Sequence, residues 1–74
     1  MADQRLRKRY ERALIGRLDE GGFPSASLLD RIESVVNDRE SAEEYVAKLL
    51  ARVERERYPS PVLLDRISRL LAYL

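Results

Sequence analysis

Apolar residues recur every fourth position at Leu6, Tyr10, Leu14 and Leu18, with Ala13 between them. That spacing predicts an amphipathic helix with these residues on its buried stripe. Gly21-Gly22 marks its predicted end, because glycine accepts the left-handed conformation that commonly closes a helix and Pro24 just beyond cannot continue one. A shorter helix is then predicted from Ser25, whose hydroxyl is a good N-cap acceptor, with Leu28, Leu29, Ile32, Val35 and Val36 as a compact apolar face before Asn37-Asp38. The third helix is expected to open at Ser41, followed three residues later by Glu44 in the spacing of a capping box. Tyr45, Val46, Leu49, Leu50 and Val53 form its apolar face, and the charged run from Glu54 to Arg57 before Tyr58-Pro59 ends it. Ser60 and Pro61 restart the chain, since proline at the first helical position has its φ preset and no N–H to lose. The last helix carries Leu63, Leu64, Ile67, Leu70, Leu71 and Leu74.

These four segments are related. An ungapped offset of 35 residues lays Tyr10 on Tyr45, Leu14 on Leu49 and Arg17 on Arg52. It also lays Phe23-Pro24-Ser25 on Tyr58-Pro59-Ser60, and Leu28-Leu29-Asp30-Arg31-Ile32 on the identical Leu63-Leu64-Asp65-Arg66-Ile67. The pattern reads as a duplication of one unit: long helix, aromatic-Pro-Ser turn, short helix. A stacked solenoid needs about three repeats to bury a continuous core, whereas two copies can close on one another. The expectation is therefore an all-α, four-helix single domain over residues 1–74, with repeats at about 4–37 and 41–74 related by a pseudo-twofold axis. A homodimer that completes the core is the runner-up.

Composition narrows the chemistry. The 74 residues are 45% hydrophobic and 36% charged, too apolar for a disordered chain and suited to compact charged helices. With no cysteine and no histidine, disulfides, zinc sites of the usual kind and imidazole catalysis are all excluded. Gly16, Gly21 and Gly22 form no phosphate-cradling loop, and the carboxylates Glu40, Glu43 and Glu44 surround a helix start, where acids offset the dipole. The sequence thus predicts no enzyme, no cofactor and no metal. No apolar run approaches the roughly 18 residues of a membrane span and the N-terminal stretch is charged, so the expected location is cytoplasmic, without membrane contact.

Net charge is +1, which selects no partner, but charge is distributed unevenly. Arg5, Arg7, Lys8, Arg9 and Arg12 fall within eight residues that hold one acid, Glu11. Such a segment suits phosphates or an acidic protein, or else forms a solvated face or pairs with the acidic stretch from Asp38 to Glu44. Tyr10 is assigned to the core by analogy with Tyr45, which weakens a base-stacking role. The second group is the repeated doublet Asp30-Arg31 and Asp65-Arg66: the arginines sit at the edge of the apolar face, and the aspartates point outward as ion-pair or partner residues. Arg17 and Arg52, three residues after Leu14 and Leu49, are expected near the apolar stripe, each reaching a carboxylate: Asp30 and Asp65, or Glu20 and Glu56. The apolar end Leu70-Leu71-Ala72-Tyr73-Leu74 is expected to dock on the fold. Together these features predict a non-catalytic protein-interaction module or small accessory subunit, with a protein partner or homodimer; a nucleic-acid-binding protein using the basic first helix is the alternative.

Overall fold

The structure, a computed structural model, describes residues 3–20, 22 and 24–74. Among these residues the chain is all-helical, with no strand: α1 (Gln4–Gly16), a 3₁₀ turn (Arg17–Asp19), α2 (Ala26–Val35), α3 (Arg39–Arg55) and α4 (Pro61–Leu71). It divides into two units, Met1–Asn37 and Asp38–Leu74. The first holds α1 and α2 in contact, the second α3 and α4.

Side-chain oxygens start each helix. Asp3 Oδ1 accepts from Arg5 N at 2.9 Å, Ser25 Oγ from Leu28 N at 3.1 Å, Asp38 Oδ2 from Ser41 N at 3.1 Å and Ser60 Oγ from Val62 N at 3.2 Å. Each satisfies one of the amide donors that a helix N-terminus leaves free. The cap residues Asp3 and Asp38 lie at the same offset of 35 as Ser25 and Ser60. Pro61 occupies the first turn of α4 as anticipated. Ser41 is not the cap of α3: Asp38 takes that position, the helix begins at Arg39, and Ser41 is buried in the first turn. Aspartate caps as well as serine does, and starting at Asp38 adds intrahelical hydrogen bonds that a start at Ser41 forgoes.

The first helix also ends earlier than Gly21-Gly22 suggests. It stops at Gly16, tightens into the 3₁₀ turn, and reaches extended backbone at Glu20. A glycine inside a helix costs about 1 kcal/mol relative to alanine, which favours the change of winding at that point. Gly22 does adopt the left-handed conformation, with φ 86°. Gly21 and Phe23, the other parts of that turn, lie outside the described residues.

The core of unit one comes from Ile15 and Leu18 together with Leu29 and Ile32 of α2; in unit two it comes from Tyr45, Val46 and Leu49 of α3 with Leu63 and Ile67 of α4. The α1 stripe therefore differs from expectation. Leu18 is buried and Leu14 half-buried, but Leu6 is 59% and Tyr10 45% exposed. A four-residue repeat advances about 40° around a helix at each step, so Leu6 to Leu18 winds through about 120° and cannot face α2 along its whole length. The seam is instead carried by Glu11, Ile15 and Leu18, spaced four and three. Arg7 secures the pairing within this unit: its Nη2 donates to the Val35 carbonyl at 3.2 Å, satisfying one of the carbonyls left open at the end of α2.

The apolar C-terminal run is only partly covered. Leu70 and Leu74 are half-buried, whereas Leu71 is exposed and Tyr73 is 88% exposed. The turn of α4 that buries Leu63 and Ile67 points Leu64 and Leu71 to the opposite side of Ile67 from the seam, which is why the expected docking of this end is incomplete.

Candidate binding surface

Gln4, Arg5, Lys8, Arg9 and Arg12 occupy successive turns on one side of α1 and line a shallow, open depression. The side chain of Arg5 is almost fully exposed and lies 3.9 Å from Asp3, a distance at which screening by water leaves little energy. Arg9 and Arg12 are exposed and have no ion-pair partner among the described residues. Next to this cationic face run Leu6, Tyr10 and Ala13, all exposed. Four of the five predicted phosphate or partner contacts therefore stand together; the fifth, Arg7, is turned away, half-buried and engaged with Val35.

Glu11 lies on the buried side of the same helix. It is only 2% exposed, and neither carboxylate oxygen accepts a hydrogen bond; the ammonium of Lys8 stands 3.5 Å from Oε2. A buried carboxylate without hydrogen bonds is costly, and its partner cation is held at the edge of the basic face. At the offset of 35, Glu11 corresponds to Val46, also buried. Lys8 is the one cation of the face with this structural task.

The repeated pairs do not behave alike. Arg17 is exposed and donates to Glu20 Oε2 at 3.2 Å, one of the two acceptors expected, while Arg52 is buried. Asp30 and Asp65 are exposed, as the helical wheel implies. Arg66 is buried at 9% exposure, whereas Arg31 is exposed. The helix seams are rotated by about one residue between the units: Leu29 is fully buried and Leu64 exposed, while Leu63 is fully buried and Leu28 half-buried. Identical sequence thus meets different surroundings, and the doublets do not form two equal sites.

What sequence reading missed is the pairing of exposed Tyr10 with the cations. No local signal gives it, because the rotation of α1 about its axis is set by packing on α2. No group of three or more potential metal ligands occurs among the described residues, and no helix there is long and apolar enough to cross a membrane. No family model, curated protein or solved structure matches the chain.

Proposed function

We propose that this protein is a non-catalytic interaction module, acting in the cytoplasm as a small accessory or regulatory subunit, whose working surface is the outer face of α1. The observation that carries this reading is the juxtaposition of Leu6 and Tyr10, both exposed, with the cations Arg5, Arg9 and Arg12. An apolar ridge beside a charged face suits a protein partner, because aromatic and arginine side chains supply most of the energy of such interfaces and the charges set orientation and rate. The tandem unit belongs to the same reading: α1 and α3 begin at Gln4 and Arg39, α2 and α4 at Ala26 and Pro61, in keeping with a duplicated helix-turn-helix. The absence of histidine and cysteine from the sequence supports the non-catalytic assignment.

Exposure of Tyr10 favours a second reading, single-stranded nucleic acid bound by phosphate contacts and one stacked base. Four cations release few counterions and leave Leu6 uncovered, so this reading ranks second. Fluorescence anisotropy of labelled single-stranded RNA and duplex DNA at low salt separates the two. The protein-partner reading predicts no saturable binding at tens of micromolar. Binding that falls steeply with salt and is lost on Arg5→Ala with Arg9→Ala and Arg12→Ala would replace it by the nucleic-acid reading.

A further inference from the structure

The outward face of α3 is the electrostatic counterpart of that of α1. Glu40, Glu43 and Glu44 lie on successive turns with Ala47, all exposed. At the offset of 35 these correspond one by one to the cationic face: Arg5 to Glu40, Lys8 to Glu43, Arg9 to Glu44 and Arg12 to Ala47. Three equivalent positions therefore carry opposite charge. Glu43 is held by Arg39, with Nε to Oε2 at 2.9 Å, but Glu40 and Glu44 have no ion-pair partner among the described residues, like Arg9 and Arg12. The helix dipole accounts for Glu40 in the first turn of α3, but not for Glu44 one turn later or for the cations at the start of α1.

We propose that the cationic face of α1 docks on the acidic face of α3 of a second copy of this chain. The proposal rests on the reading of α1 as a docking surface and names its occupant. Three features fit. First, Arg5 and Arg9 are one helical turn apart, as are Glu40 and Glu44, so two ion pairs close together whether the helices run parallel or antiparallel. Second, Ala47 and the exposed Ala51 present little bulk on the α3 face, allowing a helix to come close. Third, Leu6 and Tyr10 on one side and the exposed Leu50 on the other give the contact apolar area that ion pairs by themselves lack. Because every chain carries both faces, the contact needs no second kind of chain and is self-association.

The test uses two reversed chains. Arg5→Glu with Arg9→Glu makes both faces acidic; Glu40→Arg with Glu44→Arg makes both basic. Lys8 and Glu43 are kept because they serve Glu11 and Arg39. All four changes are at exposed positions, and circular dichroism of each chain checks that the helices persist. Sedimentation velocity at low salt is expected to show a wild-type dimer whose association weakens about tenfold or more in 0.5 M salt, two monomeric reversed chains, and a dimer when the reversed chains are mixed. A wild type that is monomeric at several hundred micromolar in low salt overturns the proposal, while nucleic-acid binding in the separate anisotropy measurement is what overturns the protein-docking reading of α1. Reversed chains that still self-associate, or a mixture that stays monomeric, overturn it equally.

Discussion

Replacing Glu11 by methionine is expected to stabilise the protein. Among the described residues the 2% exposed carboxylate accepts no hydrogen bond and makes an ion pair with Lys8 alone, at 3.5 Å. Coulomb attraction at that distance is worth about 5 kcal/mol at an effective dielectric constant of 20. Lys8 is 44% exposed, so water screens part of this, and the desolvation of the carboxylate costs several kcal/mol in the opposite direction. The two nearly cancel. Methionine keeps the length and methylene stem of glutamate while removing the desolvation cost, and replacement of buried ionic groups by apolar ones of similar volume typically gains about 1–4 kcal/mol. The half-exposed partner places the expected gain at the lower end, about 1–2 kcal/mol, read as a rise in urea midpoint at unchanged slope. Lys8→Met, which strands the acid, should instead destabilise by about 1–2 kcal/mol. Destabilisation of more than about 1 kcal/mol by Glu11→Met would show instead that the carboxylate holds a favourable partner that offsets its burial.

Four further substitutions probe the packing, a helix cap and a turn. Tyr45→Ala, at a site 1% exposed, should cost about 3–5 kcal/mol in denaturant unfolding, whereas Tyr10→Ala should stay within about 1 kcal/mol; equal effects would contradict the rotated seams. Asp38→Ala should lose about 1 kcal/mol by removing the acceptor for Ser41 N, with a matching loss of helicity by circular dichroism. Gly22→Ala should cost about 1–2 kcal/mol in the same unfolding assay, since φ 86° strains any residue with a Cβ although open space surrounds the site.

Local signals carried most of the helix pattern. Ser25 and Ser60 cap where their sequence context implies, Pro61 starts α4, and the apolar clusters around Leu29, Ile32, Leu49, Leu63 and Ile67 are buried. These features depend on neighbours within a turn or two of the helix, which a sequence displays directly. The boundary at Asp38 was harder because two good caps stand three residues apart, and the choice between them turns on how much helix each start adds. The candidate surface was legible as a cluster of cations but not as a shape. Deciding whether Tyr10 faces inward requires knowing the rotation of α1 about its axis, and that is set by its packing on α2 and by the Arg7 contact to Val35, twenty-eight residues away in sequence. The exact five-residue match between the units hid the same problem: Arg31 and Arg66 share their neighbours in sequence but not their burial.

The orientation of α1 underlies the whole functional reading, and the chain's lack of cysteine makes it directly measurable. Single substitutions Leu6→Cys, Tyr10→Cys and Ile15→Cys, labelled with a maleimide under native conditions at monomeric dilution, report which side of the helix meets water. Labelling at positions 6 and 10 is expected to be rapid, close to the rate in denaturant, and labelling at position 15 slowed by about a hundredfold or more, the protection that a local opening free energy of roughly 3 kcal/mol provides. Protection at 6 and 10 with free reaction at 15 would place Leu6 and Tyr10 inside and remove the binding face.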